Sequence, residues 1–134
     1  MSILDLTQHD VNNLPTGKVH PDGTEIKARI TNVNQDTDKN NTPYIMPFFE
    51  DPDDSNVLDF GDYLPLPVSG DSDKDKGKKL RRLKDFSDAF EANLFQTQVD
   101  LESMKGKTGW IIVGIGKDKD GNPVNKVKKY VAGK

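Results

Sequence analysis

Cysteine is absent from the sequence, which excludes disulfide cross-links, a thiolate zinc site and a cysteine nucleophile. Only two histidines occur, His9 and His20, and they cannot by themselves form a histidine-rich metal site. No apolar stretch approaches the roughly 18 residues that a membrane-spanning helix needs, so we expect no membrane segment. Residues 1–10 contain neither a basic start nor an apolar run, so we expect no secretion signal and a cytoplasmic location.

Apolar residues are also scarce, at 33% of 134 residues, whereas charged residues reach 31%. Leu, Ile, Val and Phe together still make up about a quarter of the chain, above the roughly 20% below which a chain usually fails to build a core. The length fits a single domain. We therefore expect a polar N-terminal arm over residues 1–20, followed by one domain over residues 21–134 with a small core and long polar loops.

The charge is distributed unevenly along the chain. The formal net charge is −3, yet residues 1–70 carry 4 basic and 12 acidic residues, whereas residues 71–134 carry 15 basic and 10 acidic ones. Because local clustering sets the field near a surface, an acidic protein can still present a basic stripe to phosphates. A nucleic-acid partner is therefore compatible with the composition, and ordinary charge scatter on a soluble protein is the alternative.

Five segments have the pattern of strands and one segment has the pattern of a helix. Ile26, Ala28 and Ile30 alternate with polar residues in the clearest strand. The predicted strands are residues 23–33, 44–49, 57–66, 108–115 and 123–132, and the predicted helix is residues 78–93, where Leu80, Leu83, Phe86 and Phe90 form one apolar stripe. This order predicts a mostly β fold, a five-stranded OB-like barrel with one α-helix between strands 3 and 4.

No pattern in the sequence indicates catalysis. Two aspartate-rich loops, which begin at Asp36 and Asp71, start like calcium-binding loops but lack the glycine and the glutamate at the positions where such a loop requires them. There is no phosphate-binding P-loop motif, and neither histidine has a recognisable triad context. The sequence therefore predicts no enzyme, no metal and no cofactor, and a hydrolase of nucleic acid or sugar is the least supported alternative.

Cations interleaved with aromatic residues favour binding of single-stranded nucleic acid, which proteins hold by cations along the backbone and by rings on which bases stack. The candidate residues on strands and loops are Lys27, Arg29, Tyr44, Phe48, Tyr63, Trp110, Lys117, Lys119, Lys126, Lys128 and Tyr130. The alternation places Lys126, Lys128 and Tyr130 on one face of the last strand. Strand two presents either Tyr44 and Phe48 or Ile45 and Phe49, depending on its register.

A second set of candidates lies on the predicted helix and consists of Lys78, Lys79, Arg81 and Arg82, here called the helix cluster. A basic cluster at the start of a helix opposes the helix dipole, which favours acidic residues there. The cluster therefore suggests an anionic partner, and a solvated helix face is the alternative.

Six short segments carry a resemblance to a known family. They are LPTG at 14–17, EIKARI at 25–30, LRRLKDF at 80–86, MKGK at 104–107, WIIV at 110–113 and NKVKKY at 125–130. Together they resemble phage-encoded single-stranded DNA-binding proteins of the OB type, over most of residues 14–131. The resemblance implies a protein of the host cytoplasm that coats exposed single strands, with little sequence preference, during phage DNA replication or recombination.

The sequence departs from this family in its acidic residues. Many such proteins end in an acidic tail that recruits partners, but this chain ends in YVAGK, and its acidic residues concentrate in residues 36–75. These acidic loops are candidate contacts for replication or recombination proteins, and the sequence leaves a homo-oligomer open. The main alternative function is a protein-interaction or virion-structural module on an OB-like barrel that does not bind nucleic acid.

Overall fold

The computed structural model describes residues 3–5 and 17–133, so residues 1–2 and 6–16 of the predicted arm, and residue 134, lie outside the described part. The described chain contains six strands, one α-helix and a short 3₁₀ helix at Leu101–Met104. The strands are β1 (Glu25–Thr37), β2 (Pro43–Glu50), β3 (Phe60–Gly61), β4 (Leu64–Pro65), β5 (Thr108–Lys117) and β6 (Pro123–Val131), and the helix is α1 (Asp73–Phe90).

The strands form one antiparallel sheet in the order β3-β2-β1-β5-β6, with β4 also paired to β2. The long strand β1 belongs to both halves, because residues 25–29 pair with β5 and residues 29–37 pair with β2. The predicted antiparallel β fold with one helix is therefore confirmed. Within residues 17–133, no backbone pairing joins β6 to β3, so the sheet is not closed and the predicted barrel stays a prediction.

The predicted third strand, residues 57–66, was wrong as a continuous element. It contains the two short strands β3 and β4, and Val57 forms an isolated bridge with Lys18. Between the two strands, the Asp62 backbone N–H donates to the Pro47 carbonyl at 3.0 Å. Pro47 of β2, which lies opposite Asp62 in this register, has no N–H with which to return a hydrogen bond, so the ladder is interrupted between β3 and β4.

Helix α1 begins at Asp73, five residues before the predicted start. Ser72 caps it, because the Asp75 backbone N–H donates to Ser72 Oγ at 3.1 Å, and Asp73 and Asp75 lie in the first turn. Acidic residues in the first turn complement the helix dipole. The helix cluster lies one to two turns further along, so the predicted conflict with the dipole was wrong.

The core lies between one side of the sheet and α1. Phe49 of β2 contacts Phe86 and Phe90 of α1 with ring centroids 6.3 and 5.2 Å apart, and Ile30 and Ile111 are fully buried beside them. Burial of side chains of this size contributes roughly 1.5–3 kcal/mol each. Because α1 packs on this side, the helix leaves the opposite side of the sheet uncovered.

Residues 18 and 20 of the predicted arm are attached to the domain. Lys18 Nζ lies 2.7 Å from an Asp54 carboxylate oxygen, and His20 Nε2 lies 2.8 Å from Asp51 Oδ2. The His20 backbone N–H also donates to Asn125 Oδ1 at 2.8 Å. No helix in the described part of the chain is both long and apolar enough to cross a membrane.

Candidate nucleic-acid interface

The side of the sheet that faces away from α1 is here called the outer face. On β1, Ile26, Ala28 and Ile30 are buried, so Lys27 and Arg29 between them point outward. On β2, Ile45, Pro47 and Phe49 are buried, while Tyr44, Met46 and Phe48 are half-buried on the opposite side. The structure therefore resolves the open register in favour of Tyr44 and Phe48.

Four side chains form what we call the aromatic end of the outer face, namely Tyr44, Met46, Phe48 and Tyr63. The rings of Tyr44 and Tyr63 lie 4.8 Å apart at their centroids, and Tyr63 is 43% exposed. Met46 and Phe48 pack against Gly61 of β3. A Cβ on Gly61 would lie 2.8 Å from Met46 Cε and 3.0 Å from Phe48 Cε1. A glycine at this position thus lets both side chains lie flat against the neighbouring strand.

The loop between β1 and β2 holds Tyr63 in place. The Tyr63 hydroxyl donates to Asp38 Oδ2 at 2.7 Å, and the backbone N–H groups of Asn40 and Thr42 donate to Asp38 Oδ1 at 2.8 and 3.0 Å. The hydrogen bond to the Asp38 carboxylate raises the pKa of Tyr63 to about 12. The pKa of Asp38 is lowered, mainly by the hydrogen bond from the Tyr63 hydroxyl and next by the one from the Thr42 N–H. The aromatic end is therefore preorganised by its loop.

Three lysines form what we call the basic end of the outer face, namely Lys27, Lys126 and Lys129. Lys27 lies directly opposite the half-buried Trp110 of β5, and Lys129 lies opposite Ile112. The Lys126 stem lies along β5, where a Cβ on Gly114 would meet its Cε at 3.3 Å and one on Gly116 its Cδ at 3.6 Å. Within residues 17–133, none of the three ammonium groups has a hydrogen-bond or ion-pair partner, so they are available to phosphates.

Two other predicted cations on strands are engaged by carboxylates. Arg29 contacts Glu50 through two nitrogens, with Nε and Nη2 at 2.7 and 2.5 Å from Oε1. Lys128 Nζ lies 3.2 Å from Asp22 Oδ2, and both side chains are exposed. Lys117 and Lys119 are exposed on the hairpin between β5 and β6, beside Asp118 and Asp120. These four cations border the outer face, and the charges of Arg29 and Lys128 are compensated by their carboxylate partners.

The prediction that Tyr130 shares a face with Lys126 and Lys128 was wrong. A β-bulge at Lys128 shifts the register between Ile112 and Val113. Both Val127 and Tyr130 consequently point inward, and Tyr130 is only 5% exposed. Its hydroxyl donates to Asp62 Oδ2 at 2.5 Å, so no base can stack on this ring. Lys129 takes the outward position instead.

The helix cluster does not join the outer face, because α1 packs on the other side of the sheet. Lys79 Nζ binds Asp71 at 2.9 Å, and Arg82 Nη2 binds Asp62 Oδ2 at 3.0 Å and the Val127 carbonyl at 2.8 Å. The Arg82 guanidinium also lies 4.9 Å above the Tyr130 ring. These two cations stabilise the fold, whereas Lys78 and Arg81 are exposed.

Asp62 connects three elements, because it accepts from both Tyr130 of β6 and Arg82 of α1 while following β3 in the chain. Burial raises the pKa of Asp62, although Tyr130 and Arg82 both act to lower it. The pKa of Tyr130 is raised well above its ordinary value, mainly by burial and next by the negative charge of Asp62. Side-chain bonds thus link β6 to the β3 edge across the gap where backbone pairing is lacking in the described chain.

Sequence comparison assigns this chain to no family: no protein-family model matches it, and no curated protein matches it significantly.

The outer face gathers seven of the predicted residues, namely Lys27, Arg29, Tyr44, Phe48, Tyr63, Trp110 and Lys126. The sequence prediction omitted Met46 and Lys129. Met46 could have been found from its position between Tyr44 and Phe48, and Lys129 from the two lysines that separate Val127 from Tyr130 and break the period of two.

Proposed function

We propose that this protein binds single-stranded DNA on the outer face, with little sequence preference. The observation that carries the proposal is the presence of exposed or half-buried rings and three lysines without a described partner on one side of one sheet. Each base that stacks on an aromatic ring contributes about 1–3 kcal/mol of binding free energy, whichever base it is, and lysines attract the phosphates. A duplex hides its base faces, so this arrangement favours single strands.

The two ends of the outer face suit different parts of a nucleotide. Near the aromatic end the neighbouring residues of β1 are Asn34 and Asp36, and Asp36 lies opposite Tyr44. A carboxylate there repels phosphates, whereas the rings accept bases. The basic end also holds Glu25, opposite Ile112, and Asp22, beside Gly114, but its lysines outnumber these two acids. Phosphates are therefore expected at the basic end, and the strand is expected to cross the sheet from Lys129 toward Tyr44. Tyr44 and Phe48 are separated by four residues, about 13 Å along a strand, which gives two separate stacking positions.

We propose that the protein covers single strands in phage DNA replication or recombination in the host cytoplasm. This biological role rests on the sequence resemblance.

The alternative function is a protein-interaction or virion-structural module that uses the acidic loops. It has less support from the structure. In the acidic turn after β2, Asp51 is bound by His20 and Asp54 by Lys18. Lys18 also lowers the pKa of Asp54. Two of the acids that this alternative requires are thus paired within the chain.

The direct test is a titration of the protein with labelled oligothymidine at several salt concentrations. Three lysine–phosphate contacts predict a slope of about −2 in a plot of log affinity against log salt, or a roughly 100-fold loss for a tenfold rise in salt. Trp110 is the only tryptophan and lies beside Lys27, so its fluorescence should be quenched by stacked bases. Absence of binding at micromolar protein in low salt would refute the proposal.

A further inference from the structure

A groove runs between α1 and the chain that follows it, residues 93–101, on the side of the molecule away from the outer face. Its first part, about 680 Å³, is lined along the helix by Gly77, Arg81 and Lys84. Its second part is an apolar pocket of about 300 Å³, whose lining includes Leu66, Leu80, Leu94, Phe95, Val99 and Leu101. Leu80 and Phe95 border both parts, so the two adjoin, and we call them together the helix groove.

Phe95 distinguishes this groove from the rest of the surface, because it is 60% exposed beside a pocket of aliphatic side chains. Of the described residues that line the apolar pocket, Gln35 is the only one with a polar side chain. A nucleobase placed there would leave its polar edges without hydrogen-bond partners, which is costly. The pocket therefore suits an apolar side chain.

The adjoining helix surface is basic. Lys74, Lys78 and Arg81 line it with Asp85, and none of these three cations has a partner among the residues that the structure describes. Lys84, by contrast, lies 2.9 Å from Asp88. Gly77 and Arg81 line both this surface and the helix groove, so an occupant that extends from the groove along the helix would meet an excess of positive charge.

We propose that the helix groove binds an acidic peptide segment of a partner protein, with a leucine or phenylalanine of that segment in the apolar pocket. Its carboxylates complement Lys78 and Arg81, which lie about one helical turn apart. Acidic motifs are commonly bound by exposed cations, and an apolar anchor in a pocket provides most of the affinity. This site is independent of DNA binding, because α1 and the outer face lie on opposite sides of the sheet.

The test uses a fluorescein-labelled peptide of ten residues with a central Leu-Phe pair flanked by aspartates and glutamates, and fluorescence anisotropy with the whole protein. We expect binding that Phe95→Ala weakens about tenfold. The double variant Lys78→Glu/Arg81→Glu should weaken it to a similar extent. Lys119→Glu, which makes the same kind of charge reversal on the distant hairpin, is the control and should leave peptide affinity unchanged. All of these side chains are exposed, and circular dichroism verifies folding.

Three outcomes would overturn the proposal. The first is no binding of the peptide at about 100 μM wild-type protein. The second is equal binding of a control peptide in which serines replace the Leu-Phe pair, since charge alone would then explain the affinity. The third is displacement of the peptide by oligothymidine, which would place the peptide on the outer face. The first two outcomes do not depend on whether oligothymidine binds to the protein, so they separate a failure of this proposal from a failure of the proposed function.

Discussion

The three lysines of the basic end differ from two cations of the helix cluster, Lys79 and Arg82, in what surrounds them. Lys79 and Arg82 lie within 3.0 Å of the carboxylates of Asp71 and Asp62. Lys27, Lys126 and Lys129 have no carboxylate within ion-pair distance in the described part of the chain. A cation that already has a buried counterion stabilises the fold, and a cation without one can attract a ligand.

This difference also explains the charge asymmetry along the chain. Among the residues that the structure describes, two acids of the acidic first part, Asp62 and Asp22, are counterions for Arg82 and Lys128 of the basic second part. The net charge of a segment therefore overstates its external field. What remains for a ligand is the charge that internal pairing leaves over.

The largest effect is expected from Asp62→Ala. This change leaves the buried Tyr130 hydroxyl and the Arg82 guanidinium without their common acceptor, so the free energy of unfolding should fall by about 3 kcal/mol. Urea denaturation followed by Trp110 fluorescence measures it. Asp59→Ala, at an exposed acid three residues earlier, should change stability by less than about 0.5 kcal/mol. A loss below about 1 kcal/mol in Asp62→Ala would show that this network does not hold the sheet edges together.

The next largest effect is expected from Phe48→Ala on the outer face. Removing a stacking ring should weaken oligothymidine binding about tenfold, within the ~1–3 kcal/mol that stacking contributes per base. The slope of affinity against salt should stay the same, because no charge is lost. Phe95→Ala removes an exposed ring on the other side of the molecule and should leave DNA affinity unchanged. Equal losses in both variants would contradict a defined stacking site.

A smaller effect on DNA binding is expected from Lys129→Ala, for which Lys78→Ala is the matched control. Lys129 is on the outer face because of the bulge, so its loss should weaken binding several-fold at low salt and reduce the magnitude of the salt slope by about 0.7. Lys78 lies on α1 and should have no effect on either quantity. If Lys78→Ala has the larger effect, DNA follows the helix and the outer face is not the binding surface.

Much of the fold could be predicted because one face of each long strand is buried. Alternation in Ile26, Ala28 and Ile30 identified β1, and the apolar stripe through Leu83 and Phe86 identified α1. The start of α1 was predicted too late, although Ser72 followed three residues later by Asp75 is a recognisable N-terminal cap. The short strands β3 and β4 could not be predicted as separate elements, because their pairing depends on β2.

The candidate site was only partly predictable, because pairing between distant residues decides which charges are exposed. Nothing local to Arg82 indicates that its partner is Asp62, 20 residues earlier in the chain. The position of Tyr130 depends on a single extra residue in β6, which reverses every face assignment after it. Residue type and spacing could therefore identify Lys27, Tyr44 and Phe48, but not the loss of Tyr130 from the site.

The smallest effect concerns the hydrogen bond between Tyr63 and Asp38, and it is best seen by titration. Tyrosinate absorbance of the wild type minus that of Tyr63→Phe isolates Tyr63, which should ionise at about pH 12. In Asp38→Ala its pKa should return toward about 10. A raised pKa in the folded state means that this bond stabilises fully below about pH 10 and is lost as pH rises through 12. If Tyr63 of the wild type already ionises near pH 10, the loop does not hold the ring, and the aromatic end is not preorganised for bases.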